Sequence, residues 1–231
     1  MTAVMQRCLA SLALACACAC AGCAAVATSV VLRSAPELLA SAMRQYTFRS
    51  EFDQALPLIK ARDWLGLSTL ARQKLQLEPE RGEWWHLAGY GHFQAGELDI
   101  ARDCFATATR LLPEEVGGWN MYAVTLARLG DSGGAARAVE RALQTDPAST
   151  LAWILSGDFH LAAGREREAL RAYDRALEID RRDIFAWYAL GLLAKRTADA
   201  AALERAVVAL KQLYPPFAAE LAGTATPKPK P

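Results

Sequence analysis

Four tryptophans, Trp85, Trp119, Trp153 and Trp187, recur at intervals of 34 residues. A fixed period of this length marks a stack of like supersecondary units rather than one irregular core. Each tryptophan keeps similar company. Three and four residues on stand Ala88-Gly89, Tyr122-Ala123, Ser156-Gly157 and Leu190-Gly191. Eleven residues on, Gly96, Gly130 and Gly164 mark a break. A second stripe follows, with Ala101, Ala135 and Ala169, then Phe105, Val139 and Tyr173, then Ala108, Ala142 and Ala176. Pro113 and Pro147 close their units, and Pro215 falls in the same phase.

The spacing predicts two helices per unit. Residues three and four apart share a helix face, so each tryptophan and the small residue beyond it form one stripe. The small residue admits the second helix closely. Glycine past a helix end supplies the left-handed cap, and proline ends the second helix. One such pair cannot bury its apolar faces alone, so copies must stack.

This pattern resembles the tetratricopeptide repeat. Units 82–115, 116–149 and 150–183 carry nearly every signature position, with Arg181 where proline is usual. A fourth, 184–217, keeps Trp187, Leu190, Gly191 and Pro215 but places Leu203 and Leu210 where small residues are expected. Ala202, Ala206 and Ala209 restore the spacing one residue earlier, which predicts a turn one residue shorter there. Pro79 lies 34 residues before Pro113 and suggests a degenerate unit at 48–81, with Trp64 at an aromatic position and Pro57 kinking or shortening its first helix. The resemblance implies an all-α, right-handed superhelical solenoid over residues 48–217.

The formal net charge is +1, and cations and anions are scattered through the helices. This gives no electrostatic case for nucleic acid, and none is expected as a partner. Aromatics at repeat positions read as packing. Cys104, alone among the repeats, reads as a buried free thiol; the other five cysteines lie within the first 23 residues.

Residues 1–27 read as an export signal: Arg7, then an uncharged run rich in Ala, Cys and Leu. Three fates are open. Cys20-Ala21-Gly22-Cys23 resembles a bacterial lipoprotein box, which implies a lipidated Cys23, membrane attachment and, with Ala24 and Ala25 following, the outer membrane. Ala25-Val26-Ala27 is an A-x-A site that would release a soluble periplasmic protein. The uncharged stretch to Leu32 is also long enough for an uncleaved anchor. All three place the repeats on the periplasmic side of a bacterial cell envelope. Residues 28–47 read as a linker and a capping helix for the N-terminal face of the stack, with Pro36 and Glu37 at its start and Leu38, Leu39, Ala42 and Met43 as an apolar stripe. Residues 218–231 read as a short helix end and an extended tail, Gly-Thr-Ala-Thr-Pro-Lys-Pro-Lys-Pro.

No nucleophile–base set, phosphate loop or metal-ligand spacing occurs, so neither an enzyme nor a cofactor is expected. His92 and His160 share one repeat position and read as structural. Asp158 and His160 lie about 200° apart on a helix and are not expected to pair. Asp183 reads as the N-cap of a helix starting at Ile184. The resemblance further implies a concave groove lined by the first helices, at positions one, five and eight after each tryptophan. These are His86, Tyr90 and Phe93; Asn120, Val124 and Ala127; Ile154, Asp158 and Leu161; and Tyr188, Leu192 and Lys195. Gln94, Arg128 and Arg196 flank them. Such a groove suits an apolar peptide or amphipathic helix. The expected role is a protein-interaction scaffold of an envelope machine of pilus or outer-membrane type. The alternatives are a periplasmic assembly factor for cytochromes or secretion, or a substrate-presenting enzyme subunit. Chaperone-binding members of the family hold a C-terminal carboxylate with Lys and Asn where this chain has His86 and Tyr90, so that activity is not expected.

Overall fold

A computed structural model describes residues 49–223. The expected export segment with Cys23, the 28–47 segment and most of the tail lie outside the described residues. The rest is a run of helices: α1 (Arg49–Ala61), α2 (Trp64–Leu77), α3 (Gly82–Ala95), α4 (Leu98–Leu111), α5 (Val116–Arg128), α6 (Ser132–Thr145), α7 (Thr150–Ala162), α8 (Glu166–Ile179), α9 (Ile184–Thr197), α10 (Ala200–Leu213) and α11 (Pro215–Leu221). There is no strand among the described residues. Each helix packs on the next in sequence, and α3, α5, α7 and α9 also touch one another in order. The odd-numbered helices therefore form one layer of a helical solenoid. Helix α1 joins that layer by touching α3. Pro57 lies inside α1, which continues through it to Ala61.

Local chemistry sets the helix ends. Gly96, Gly130 and Gly164 sit at φ 84°, 87° and 73° just beyond α3, α5 and α7. A residue with a Cβ is strained in that region, which is why glycine recurs there. Asp63, Asp131, Ser149 and Asp199 accept a backbone N–H three residues on, capping α2, α6, α7 and α10. Asp183 caps α9 as its position suggested, taking the N–H groups of Phe185 and Ala186, each at 2.9 Å. Each such cap contributes about 1 kcal/mol.

The four repeat tryptophans are half-buried rather than central to the core. Their indole N–H groups all reach back six residues. Trp85, Trp119 and Trp153 donate to the carbonyls of Pro79, Pro113 and Pro147 at 2.8–2.9 Å, and Trp187 donates to Arg181 at 2.8 Å. Because the acceptor is main chain, Arg181 serves as well as proline. The fully buried aromatics are instead Trp84, Tyr90, Phe93, Phe105, Tyr173 and Tyr188.

The shorter turn expected in the fourth unit is not there. Helix α10 starts sixteen residues after α9, as α8 does after α7, and Ala198 takes the left-handed position at φ 56° that glycine holds elsewhere. What shifts is the buried stripe. Ala202, Ala206 and Leu210 are buried while Leu203 is only half-buried. The helix is thus rotated about its axis, with its start unchanged. Helix α11 then folds back, with Pro215 in its first turn, where a missing N–H costs nothing.

Candidate functional site

The residues expected to line a groove sit on the odd-numbered layer, but most of them are packed. His86, Tyr90, Phe93, Asn120, Val124, Ile154, Asp158 and Tyr188 are all no more than 6% exposed, and Ala127 is buried too. As free groove side chains these are corrected: they form the floor between neighbouring helices. Tyr188 shows the cause most plainly. Phe217 of α11 stacks on its ring at 4.3 Å, so Tyr188 belongs to the C-terminal core. Tyr90 meets Trp64 edge-on at 5.8 Å, and His86 meets Phe105 at 5.4 Å. Burial lowers the His86 imidazole to a pKa of about 4, so it is neutral at pH 7.

Asp158 does not approach His160. Its Oδ1 accepts the Tyr173 hydroxyl of α8 at 2.8 Å. The tyrosine gets there by lying against Gly157, where an added Cβ would stand only 2.3 Å from the ring. Burial, and then the Asp158 charge, push the Tyr173 hydroxyl pKa well up. The pair therefore has a packing role, with the hydroxyl kept protonated.

Four of the expected residues remain open to a partner. Leu161 and Leu192 are half-buried, and Arg128 and Lys195 are exposed. Leu151 and Ala162, near the two ends of α7, are half-buried as well. Arg128 lies over the Phe93 ring at 4.7 Å, and desolvation there lowers its pKa. Lys195 Nζ donates to the Glu220 carbonyl of α11 at 3.4 Å. Gln94 is half-buried. Arg196 is corrected as a flank: its Nε donates to Glu166 of α8 at 2.9 Å, which turns it toward the neighbouring helix.

The two histidines of shared repeat position differ. His92 Nδ1 pairs with Glu97 across the α3–α4 turn. His160 borders a pocket of about 490 Å³ between α6 and α7, with Trp153, Ser156, Phe159, Leu143 and Arg165. Burial, and then Arg165, lower its pKa against the pull of Glu168. Sequence reasoning missed this pocket. Its signal was Ser156, where the other units place Ala88, Tyr122 and Leu190. A smaller pocket of about 320 Å³ lies between α8 and α9, beside Leu170, Leu193 and Thr197.

Cys104 is buried, and burial followed by the Asp103 charge raises its thiol to about 11. It is the wrong protonation state for a nucleophile at neutral pH. Among the described residues no group of three His, Cys, Asp or Glu side chains is placed to hold a metal ion.

Comparison with known proteins agrees with this architecture. Two family models, both described as tetratricopeptide repeat, match residues 86–150 and 126–195. No curated protein matches the chain. Similar solved structures include TTC0263, a thermophilic TPR protein of Thermus thermophilus. It is 15% identical with a TM-score of 0.63, covering 76% of this chain and 97% of that one. YrrB, described as a TPR protein with an unusual peptide-binding site, is 18% identical with a TM-score of 0.56, covering 75% and 90%. MamA from Desulfovibrio magneticus RS-1, residues 41 to the end, is 15% identical with a TM-score of 0.58, covering 76% and 95%. At these identities the likeness concerns the fold. The 34-residue period, the paired helices stacked in one layered solenoid and the two family matches together show that this chain carries tetratricopeptide repeats, matched over residues 86–195.

Proposed function

We propose that this protein is a protein-interaction scaffold of the bacterial cell envelope that binds a peptide or helix along its inner helix layer. The observation that carries the reading is the open part of that layer. Leu161 and Leu192 offer half-buried apolar surface on successive inner helices, flanked by the exposed cations Arg128 and Lys195. An apolar strip with a basic border suits an amphipathic segment bearing acidic residues beside its apolar anchors. The mechanism is equilibrium binding. Support for a peptide ligand comes from the repeat family and from the solved neighbour described as having a peptide-binding site.

The envelope setting rests on the sequence of residues 1–27. The lipoprotein box at Cys23 makes outer-membrane tethering the favoured form, with the protein serving assembly of an envelope machine. Several acyl chains on Cys23 would be needed, because one chain binds membranes only marginally. Intact mass of the membrane-extracted protein tests this: a diacylglyceryl adduct on a chain starting at Cys23 is expected, and a chain starting at Thr28 or Met1 refutes tethering. The binding reading is tested by photo-crosslinking in cells with the probe at Leu161. One dominant envelope protein in the adduct is expected; no adduct from Leu161 or Leu192 refutes it.

A further inference from the structure

Two histidines at one repeat position sit in the same turn with opposite charges beside them. The N–H of Glu97 donates to the His92 carbonyl, and that of Arg165 to the His160 carbonyl, both at 2.9 Å. In the first repeat the Glu97 carboxylate reaches back to His92 Nδ1. In the third, the same position is a cation. His160 Nδ1 is buried and finds no hydrogen-bond partner among the described residues. Arg165 is close enough for its charge to act on the ring, and Glu168 acts on it without bonding to it. The first repeat thus shows that a carboxylate fits beside this histidine, and the third bonds none to it.

Arginine is a poor choice for the fold at this point. The corresponding Asp131 and Asp199 cap α6 and α10, whereas Arg165 leaves α8 without a side-chain cap. A cation at a helix N-terminus also opposes the helix dipole. The side chains nearby are small. Ser156 stands where the fourth repeat has Leu190, and Ala136 where the first and third have Arg102 and Leu170. The resulting cavity of about 490 Å³ is of the size that small ligands fill. Leu143, Trp153 and Phe159 give it apolar walls. Glu140 lines it from α6 and disfavours a second negative charge on an occupant. At 100° per residue, Trp153, Ser156 and His160 lie about 130° around α7 from Ile154, Asp158 and Leu161. The cavity is therefore separate from the inner layer and stands whether or not that layer binds a peptide.

We propose that the α6–α7 pocket binds a monocarboxylate with an apolar body, its carboxylate held by His160 Nδ1 and Arg165 and its body laid against Leu143, Trp153 and Phe159. The neutral imidazole donates its Nδ1 proton, and Arg165 supplies the charge that makes the pairing strong. The ligand does for the third repeat what Glu97 does for the first. Two sources present this chemistry: a free acid, and the C-terminal apolar residue of a peptide.

The test titrates full-length 15N-labelled protein with 3-phenylpropionate and, separately, with the neutral 3-phenylpropanamide. The acid should bind with a dissociation constant on the order of 0.1–1 mM, shifting the Trp153 indole and His160 ring signals. The amide should bind at least about tenfold more weakly. Equal binding of acid and amide overturns the proposal, and so does an absence of shifts at Trp153 and His160. Ser156→Leu fills the cavity, as Leu190 does in the fourth repeat, and should abolish binding. Arg165→Asp restores the cap, so its thermal midpoint should rise while binding falls by at least about tenfold. Lost binding in a more stable variant cannot be ascribed to unfolding. Acid binding at full strength in both variants overturns the proposal. A tetrapeptide ending in Phe with a free carboxylate separates the sources: tighter binding than the acid at the same residues assigns a chain end, and weaker binding assigns a free acid.

Discussion

The third and fourth repeats start from one plan and close it differently. In both, a glycine on the first helix leaves a socket. In the third, Tyr173 of the second helix fills it, lying against Gly157 and continuing to Asp158. In the fourth, the equivalent second-helix residue is Val207, which is only half-buried. The socket at Gly191 is filled instead by Leu221 of α11, whose Cδ1 would meet an added Cβ at 2.3 Å. An internal repeat is thus completed by its own second helix, and the last one by a borrowed helix. The rotation of α10 belongs with this exchange: it presents Ala206 to the same socket, at 3.2 Å, and leaves room for leucine. The small residue specifies a close approach; what approaches depends on position in the stack.

The largest test of that contrast is Leu221→Ala. Leu221 is 1% exposed, and truncating a buried leucine costs about 2–5 kcal/mol. The loss should appear first as faster amide exchange in α11 and around Tyr188, with α3–α8 protected; uniform loss of protection would show that the cap is not a separate closure. Next come the two glycine substitutions. Gly157→Ala forces the Tyr173 ring from its bond to Asp158 and should lower the urea stability by about 1–3 kcal/mol. Gly191→Ala should disturb α11 while sparing the third repeat, and chemical shifts separate the two responses. Smaller still is Tyr173→Phe, which keeps the ring and removes one hydrogen bond, for about 1 kcal/mol; an unchanged midpoint would make the Asp158 contact incidental. Last is Ala198→Gly. Relieving a left-handed alanine should raise stability by about 1 kcal/mol, read as a higher thermal midpoint. A fall would mean that the fourth repeat needs the stiffness alanine provides.

The fold was legible because its determinants are local and periodic. Trp every 34 residues, the glycine caps and Asp183 each state a helix boundary through backbone chemistry that no distant contact overrides. The site was less legible because exposure is a property of the stack. Position within the repeat placed Tyr188 and Leu192 on the same helix face, but only α11 makes one core and leaves the other open. Arg196 was misplaced for a like reason, since Glu166 that holds it lies 30 residues away. Counting small residues suggested a shorter turn in the fourth unit. The chain kept the turn and rotated the helix, a choice that side-chain volume makes and spacing does not display.

The backward reach of the tryptophans has a spectroscopic consequence. Every repeat indole is half-buried and hydrogen-bonded to the closing carbonyl of the unit before it. Its emission therefore reports on a junction rather than on a unit. Peeling the stack from either end would release these indoles to water one at a time, each a near-equal red shift. Melting as a single body would release them together. The chain carries a built-in counter of how many of its joints remain shut.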